Sequence, residues 1–505
     1  MRYIKICDGD LDPALSVPDL TFAAFEVHFC YHVFGMNRDT YTVTHSVFLR
    51  LLALITCIAF VSLWTQITGL AGKNGILPAS TFLELVAQRF GWQRYWLVPS
   101  LCWLNSSDLF LQSLCAGGAA LSLLLFAGRF QATILFLLWA FYLSLCVVCR
   151  DFLAFQWDVL LLETGFLAIL LVSRQRIARL LLYWLLFRLM FSSGMVKLLS
   201  EDPTWRNFTA LNFHYETQPL PTWIGWYAHQ LPSWFQKIST TIMFGVELLI
   251  PFFIFLPRRF RFTACCSLIG FQILIFVTGN YCFFNLLAIA LCLLLVEDAH
   301  WPEWIRKRFQ QSAMPHAWTI WPVRVAASIL FFLSLVELSG TLHLAKYWPQ
   351  SIVQIYRVVA PFRTVNGYGL FAVMTTTRPE IVIEGSNDGT EWKSYEFKYK
   401  PGDLRKHPSF VEPHQPRLDW QMWFAALGNY QSNDWFVPFC TRLLDGSPEV
   451  LSLLAHNPFP VAPPKFVRAM WYEYHFTTIA GRRSTGNWWT REWKGAYSPV
   501  FSRGE

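Results

Sequence analysis

Long apolar runs separated by short polar segments dominate the first two thirds of the chain. Nine of these runs are candidate membrane spans, at residues 47–69, 108–127, 131–149, 158–173, 178–199, 240–256, 263–279, 282–296 and 324–344. An upright helix needs about 20 residues to cross the hydrocarbon core, and several runs are shorter than that. Because short runs can be re-entrant or packed inside a bundle, the pattern predicts about five to nine spans.

The pattern changes after about residue 345, where apolar and polar residues begin to alternate. Residues 379–403 predict two strands around Asn387-Asp388-Gly389, a strong hairpin-turn sequence, and residues 465–478 predict a further strand. Residues 416–430 and 447–459 predict helices. The predicted fold class is therefore a polytopic α-helical membrane protein with a C-terminal β-rich (α+β) extracytoplasmic domain.

These patterns divide the chain into four parts. An N-terminal cytoplasmic or interfacial segment covers residues 1–45, and a multi-pass transmembrane region covers residues 46–345. A soluble β-rich C-terminal domain covers residues 346–478, and a tail covers residues 479–505. Of the 12 cysteines, only Cys440 lies after residue 345, so this domain cannot form an internal disulfide.

The composition supports membrane insertion, because 54% of the residues are hydrophobic and only 15% are charged, against about 25% charged in soluble domains. The net charge of +8 does not indicate nucleic-acid binding, because the basic residues form short clusters between apolar runs. With nine spans, most of these clusters fall in short loops on one side. The positive-inside rule then predicts a cytoplasmic N-terminus, with both long loops and the C-terminal domain extracytoplasmic.

One of the long loops, at about residues 200–239, is dense in Trp, His, Tyr, Glu and Asn. Loops of this length are functional or disordered, and the aromatic content argues against disorder. We therefore predict an ordered extracytoplasmic surface. His214 and Glu216 in this loop could act as a general base and its partner. Their spacing on an irregular loop imposes no geometry, so hydrogen-bonded structural roles are the alternative.

Several ionisable residues lie inside apolar runs, among them Glu163, Arg188, Glu247 and Glu337. Such residues are costly in lipid and normally pair in the bundle interior. Either Arg188 pairs with Glu163 or Glu247 and locks the bundle, or the three form a polar site for a lipid. The sequence contains no phosphate-binding glycine loop, nucleophile elbow or H-E-x-x-H helix, so we predict no catalytic residue, metal or cofactor.

Several long motifs resemble those of one known family. They are FQWDVLLLETGFLAI (155–169), RLMFSSGMVKL (188–198), DPTWRNFTALNFHYETQPLP (202–221), TGNYCFFNLLAIALCLLL (278–295), IEGSNDGTEWKSYEFKYKPGD (383–403), PHQPRLDWQMWFAALGNY (413–430) and LLAHNPFP (453–460). Together they resemble the lipase maturation factor family over about residues 41–477. The resemblance implies a multi-pass protein of the endoplasmic reticulum membrane, or of the inner membrane in a bacterial member. Its members help secreted lipases to fold and assemble into dimers.

The same resemblance implies partners and contact residues. The partners would be folding client proteins, secreted lipases among them, and membrane lipids, without nucleic acid. The membrane region is also distantly similar to vitamin K-dependent carboxylases, so a membrane enzyme acting on lipid or peptide is the alternative. The family supplies no catalytic residues to transfer. Client or lipid contact is predicted, with a structural role as the alternative, for Trp205, Arg206, His214, Tyr215, Glu216, Arg417, Asp419, Trp420, Trp423 and Asn429.

Overall fold

The computed structural model describes residues 41–309 and 320–503, so residues 1–40 of the predicted N-terminal segment lie outside the described residues. The helices up to the C-terminal domain are α1 (Thr42–Trp64), α2 (Ile67–Ala71), α3 (Ala79–Phe90), α4 (Arg94–Leu97), α5 (Asp108–Phe126), α6 (Gln131–Cys149), α7 (Gln156–Leu171), α8 (Arg176–Leu199), α9 (Pro203–Arg206), α10 (Leu211–Thr217), α11 (Trp223–His229), α12 (Ser233–Leu248), α13 (Arg258–Thr278), α14 (Phe284–Leu293), α15 (Glu303–Phe309), α16 (Ile320–Thr341) and α17 (Gln350–Val359).

Within the described ranges, seven helical stretches are long and apolar enough to cross a membrane. They contain α1, α5, α6, α8, α12, α13 and α16, and they correspond to seven of the nine predicted runs. The prediction of a multi-pass helical membrane protein is therefore confirmed.

The other two predicted runs, at 158–173 and 282–296, form the shorter helices α7 and α14, of 16 and 10 residues. Both are largely buried among their neighbours. At one end of the α14 segment, Tyr281 N donates to the Glu412 carboxylate of the C-terminal domain. At its other end, Val296 O accepts from Thr44 Oγ1 at the start of α1 (2.7 Å). The segment therefore runs between the two faces of the bundle. Because protein surrounds it, its helix can be shorter than a helix that crosses the membrane in contact with lipid.

The two long loops and the C-terminal domain meet on one face of the bundle. Gln66, after α1, donates from Nε2 to Gln415 O (2.8 Å), and Asn74 Nδ2 donates to Glu449 Oε1 (3.3 Å). On the opposite face, the basic first turn of α13 contacts the end of the α14 segment, where Arg261 Nη2 donates to Glu297 Oε1 (2.7 Å). The loops and the domain thus lie together, as the charge pattern predicts, whereas the compartment of each face remains a prediction.

The C-terminal domain contains α18 (Arg417–Ala426), α19 (Phe436–Asp445), α20 (Pro448–Leu451) and α21 (Ile479–Thr485), with strands β1 (Pro379–Ser386), β2 (Lys393–Ser394), β3 (Glu396–Phe397), β4 (Leu454–His456), β5 (Phe466–Phe476), β6 (Trp489–Ala496) and β7 (Phe501–Ser502). One antiparallel sheet has the order β2-β1-β5-β6, with β7 also on β5, and β3 pairs with β4. The prediction of a β-rich C-terminal domain is confirmed.

Two local predictions need correction. The helix expected at 447–459 ends at Leu451, and the chain continues as β4, because the backbone of this strand pairs with β3. The predicted hairpin closes at Glu384↔Ser394, but its second strand then leaves β1 and pairs with β4 instead. In both cases a partner that is distant in sequence decides the local structure.

The predicted tail, described over residues 479–503, supplies α21, β6 and β7. Trp489, at the start of β6, is 1% exposed, and its ring centroid lies 4.4 Å from that of Phe476 on β5. Burial of these two rings explains why the polar-looking segment joins the sheet.

Candidate functional site

The loop between α8 and α12 is folded into three short helices and tied to the chain beyond the membrane region. Asp202 caps the first of them, because its side chain accepts from Thr204 N (2.7 Å), and its other oxygen accepts from Met374 N (2.6 Å). Trp205 is buried, and its indole nitrogen donates to Phe371 O (3.1 Å). Side chains of the loop therefore bind the backbone of the segment at Phe371 and Met374.

A fully buried arginine of the C-terminal domain binds the backbone of this loop. Arg378 Nη1 donates to Glu216 O (2.6 Å) and Gln218 O (2.5 Å). Its Nη2 donates to Pro219 O (3.0 Å) and to Glu380 Oε1 (2.7 Å). A planar guanidinium suits such a fork of acceptors, which a lysine could not fill. We call this contact, formed by Arg378, Glu216, Gln218 and Pro219, the loop junction.

The side chain of Glu216 extends the loop junction toward two histidines. Its Oε2 accepts from Phe476 N (3.0 Å), and its Oε1 lies 3.1 Å from His475 Nδ1. His229 Nε2 lies 3.5 Å from Oε2. Glu216 is itself buried, so in this structure it contacts the C-terminal domain and α11.

His214 has different partners from Glu216, although two positions separate them. Its Nε2 lies 3.3 Å from the Tyr281 hydroxyl, which also donates to Gln218 Oε1 (3.0 Å). Burial, and then the positive charge of Lys197, lower the pKa of His214 to about 4. A neutral imidazole with so low a pKa is a weak general base at neutral pH.

A second fully buried arginine binds the membrane bundle. Arg417, the first residue of α18, donates from Nη2 and Nη1 to the two carboxylate oxygens of Asp158 (2.8 and 2.9 Å). Arg417 Nη1 also donates to Phe152 O (2.6 Å), and Nη2 donates to the Tyr142 hydroxyl (3.3 Å). Both charged side chains are 0% exposed. We call this contact, formed by Arg417, Asp158, Phe152 and Tyr142, the bundle junction.

Asp419, two residues further along α18, holds the domain together internally. Its Oδ1 accepts from Tyr399 N (2.8 Å) and Lys400 N (2.9 Å). Burial raises the pKa of this carboxyl, and the two amides oppose that shift. Asp419 therefore contacts its own domain and is not displayed at the surface.

The two predicted tryptophans of α18 are also buried. The Trp420 ring packs edge-on against Trp157 of α7, with centroids 4.7 Å apart. Trp423 Nε1 donates to Thr217 O in the loop (2.9 Å). One face of α18 thus contacts the bundle and the loop at once.

Besides the half-buried His214, three of the predicted contact residues keep solvent access. Arg206 is exposed and pairs with Glu201 (3.4 Å), and Tyr215 is half-buried. Asn429 is exposed, and its side chain accepts from Ser432 N (2.9 Å) to start a short turn. These three residues lie on the loop and on the segment after α18, so they border the same side of the molecule.

The intramembrane residues form two separate ion pairs. Arg188 Nη2 donates to Glu163 Oε1, whose other oxygen accepts from Asn366 N (2.9 Å) and the Tyr368 hydroxyl (2.8 Å). Arg188 Nη1 donates to Asn366 O (3.0 Å). Arg188 and Glu163 are both almost completely buried, and the irregular segment after α17 supplies their remaining partners Asn366 and Tyr368.

Glu247 pairs with Lys197 at 2.6 and 2.7 Å, not with Arg188. Lys197 follows Arg188 by nine residues on α8, which is about two and a half turns. The two basic side chains therefore point to opposite sides of the helix, one toward α7 and the other toward α12. The three intramembrane residues do not form a single polar site.

Sequence reasoning missed Asp158 and Arg378. The rule that selected Glu163 as a charge in an apolar run could also have selected Asp158 in the same motif. Arg378 carried no such signal, because it lies in a polar segment and its acceptors are backbone carbonyls far away in sequence. Among the described residues, no group of three or more His, Cys, Asp or Glu could hold a metal ion.

Comparison with known proteins identifies both the membrane region and the C-terminal domain. The lipase maturation factor transmembrane domain matches residues 43–303, and the lipase maturation factor C-terminal domain matches residues 364–499. The chain belongs to the lipase maturation factor family. No solved structure matches the chain.

Its similarity to relatives in this family extends over almost all of its length. The chain is 36% identical to lipase maturation factor 2 of Xenopus laevis, over 89% of this chain and 81% of the relative. It is also 36% identical to human lipase maturation factor 2, over 91% of this chain and 82% of the relative. It is 34% identical to human lipase maturation factor 1, over 92% of this chain and 89% of the relative. Both the membrane region and the C-terminal domain are therefore shared with the family.

Proposed function

We propose that this protein is a membrane-bound maturation factor that assists the folding and assembly of secreted proteins, typically dimeric lipases. The observation that carries the proposal is the family membership across both the membrane region and the C-terminal domain. The relatives are named for lipase maturation. The geometry supports a non-enzymatic role, because four buried ion pairs serve contacts within the chain.

The proposal includes a location and an orientation. The protein lies in the endoplasmic reticulum membrane, or in the inner membrane if it is bacterial. Its N-terminus is cytoplasmic, and the loop and C-terminal domain face the lumen or periplasm, where secreted clients fold. The basic short loops support this orientation. The membrane region covers residues 46–345, and the domain that follows continues to β7.

Within this proposal the predicted contact residues divide into two groups. The exposed Arg206 and Asn429, with the half-buried Tyr215, meet the client or lipid. The buried residues hold the client-facing surface in position through the loop and bundle junctions. They are Trp205, Glu216, Arg417, Asp419, Trp420 and Trp423, and the half-buried His214 joins them.

The test is the specific activity of a co-expressed dimeric lipase, measured as activity per unit mass of secreted lipase. We expect the full chain to raise this ratio at constant total lipase, because more of the lipase reaches its active dimeric form. Arg206→Ala and Asn429→Ala should lower the gain without changing the amount of membrane-inserted protein. An unchanged ratio with the intact chain, across several dimeric lipases, would refute the proposal.

The enzyme alternative is not favoured by the site. It assigned catalysis to His214 and Glu216, whose side chains bind different partners. The lipid-carrier alternative is also weakened, because Glu163, Arg188 and Glu247 are divided between two ion pairs.

A further inference from the structure

Strand β6 forms an edge of the main sheet, because β5 is its only neighbour among residues 41–309 and 320–503. After the buried Trp489, the residues of β6 are exposed or half-exposed. An edge strand of this kind offers unpaired amides and carbonyls to another chain. The register shows which residues of β6 have such groups.

The hydrogen bonds of β5 determine the direction of the β6 backbone. Tyr474 N donates to Arg378 O (2.9 Å), so the backbone groups of Tyr474 point toward β1. Tyr474 lies opposite Arg491, and Tyr472 lies opposite Trp493. In an antiparallel pair, opposite residues either exchange both hydrogen bonds or point both sets of groups away. The amides and carbonyls of Arg491 and Trp493 therefore point away from β5.

The beginning of this edge is covered and the rest is open. Trp489 N, which points the same way, donates to Leu404 O (3.2 Å). In the parts of the chain that the structure describes, the backbone groups of Arg491 and Trp493 have no such partner. The open edge is thus a stretch of β6 centred on these two residues.

Aromatic side chains flank the open edge on both faces of the sheet. Trp493 is 61% exposed on the face that carries Tyr472. Trp471 is 40% exposed on the opposite face, and its cross-strand neighbour Gly495 has no side chain to cover it. A strand added here would place alternate side chains against Trp493 and toward Trp471.

The edge also borders a cavity of about 470 Å³, since Arg491 and Leu404 both line it. Its other lining residues include Glu396, Asp403 and Asn487. This cavity can receive a polar side chain of the added strand. A binding mode follows in which apolar and polar side chains alternate along an extended peptide.

The charged side chains of β6 do not prevent another strand from pairing with this edge. Lys494 pairs with Glu473 (3.0 Å) and Glu492 (2.9 Å), so its ammonium group lies across the sheet face. Self-association through β6 is disfavoured, because two open residues per chain would bury far less than the roughly 1,200 Å² of a stable interface. An extended peptide pairs with the same backbone groups and can also place a side chain in the adjacent cavity.

We propose that the open edge of β6, at Arg491 and Trp493, binds an extended segment of an incompletely folded client by strand addition. The inference rests on the proposed function and names the form in which the client is held. Main-chain pairing suits a folding factor with several clients, because it depends on an extended backbone more than on one side-chain sequence.

The direct test is the binding of a labelled ten-residue peptide of alternating valine and threonine to the full chain in nanodiscs. The comparison peptide has the same side chains but carries N-methyl groups on alternate amides, which removes main-chain donors. We expect the methylated peptide to bind about tenfold more weakly, as expected for loss of two main-chain hydrogen bonds. Equal binding of the two peptides, or no binding of either, would overturn the inference.

A matched pair of variants tests the same point from the protein side. Arg491→Pro and Arg491→Ala both lose the side-chain contact with Tyr474, but only the proline also loses the outward amide. We expect Arg491→Ala to retain peptide binding and Arg491→Pro to lose most of it. Since Arg491→Pro could misfold, Trp493→Ser, which leaves the backbone unchanged, should weaken binding of the unmethylated peptide severalfold. Binding unaffected by both Arg491→Pro and Trp493→Ser would refute the inference.

The lipase assay separates this inference from the function on which it rests. If the intact chain raises lipase specific activity and Arg491→Pro does so equally, strand addition is wrong and the maturation role stands. If the intact chain has no effect on any lipase while the peptide result holds, the lipase function is wrong. Peptide-sensitive dimerisation of the protein through β6 would also count against a client as the occupant.

Discussion

The bundle junction and the loop junction both use a fully buried arginine of the C-terminal domain, but they bind different kinds of acceptor. Arg417 binds the carboxylate of Asp158, a side chain of a helix within the bundle. Arg378 binds three loop carbonyls in addition to Glu380 of its own domain. The bundle junction therefore depends on one charged side chain, whereas the loop junction depends on the backbone path of the loop.

Because of this difference, loss of one partner should reduce stability by different amounts at the two junctions. A buried charge that loses its only counter-charge is strongly destabilising. The loss of one donor to a carbonyl group reduces the free energy of unfolding by less. The Arg378 side chain also keeps its partner Glu380 when its contacts with the loop are lost. We expect the bundle junction to determine whether the domain stays attached, and the loop junction to determine how firmly the loop is held.

Asp158→Asn should produce the largest effect. It leaves the Arg417 guanidinium buried without a counter-charge, and we expect a loss of about 3–5 kcal/mol in unfolding free energy. Thermal unfolding in detergent micelles measures it. The control is Asp434→Asn, because Asp434 is 74% exposed and pairs with Arg150 at 3.4 Å. A similar small shift for both variants would show that the bundle junction is not a stabilising contact.

Arg378→Lys should have an intermediate effect. A lysine keeps the charge near Glu380 but cannot reach all three carbonyls, so we expect a loss of about 2 kcal/mol. Hydrogen exchange should become faster in residues 211–229, which the loop junction holds, and remain slow in α18. The control is Arg405→Lys at an exposed position. If exchange rises in α18 as well, the two junctions are coupled and the comparison fails.

A pH dependence should be the smallest effect, and it belongs to the bundle side. His414 precedes α18, and its Nδ1 lies 2.9 Å from Ser62 Oγ. Burial lowers the pKa of His414 to about 4, and nearby positive charges contribute. The unfolded chain, with an ordinary histidine pKa of about 6.5, then binds more protons at acidic pH. This contribution to stability is complete above pH 6.5 and falls as the pH drops toward 4.

At pH 5 the expected loss from His414 is about 1–2 kcal/mol. Denaturant unfolding at pH 7 and pH 5 should therefore show a smaller pH difference for His414→Gln than for the unaltered chain. His456→Gln, at an exposed position, should leave the difference unchanged. An equal pH difference in all three proteins would mean that His414 protonates as readily when folded as when unfolded.

The predicted site residues show what the local sequence can and cannot predict about burial and binding partners. The family resemblance predicts client or lipid contact for Trp205, Trp420 and Trp423, yet the structure buries all three. The sequence could not distinguish an exposed aromatic surface from an interdomain contact, because both have the same composition. Arg417 was selected without its partner, since Asp158 lies more than 250 positions earlier in the chain.

The membrane architecture and the family were available from the sequence alone. The length of an apolar run is a local property, and the thickness of the bilayer determines which runs are long enough to span it. The hairpin turn could also be predicted, because the sequence Asn387-Asp388-Gly389 favours the backbone conformation of such a turn. The motifs and their order were enough to predict the family, because a motif can be recognised from its residues without knowledge of how they pack.

Only the tertiary structure decided which charges pair, which aromatic residues are buried and where the sheet ends. Arg188 and Lys197 lie on one helix, but the positions of α7 and α12 around it assign them different partners. The segment after residue 478 resembles a polar tail, and it becomes an edge strand because β5 offers it a partner. These outcomes depend on which distant faces meet, and the local pattern of apolar and polar residues does not contain that information.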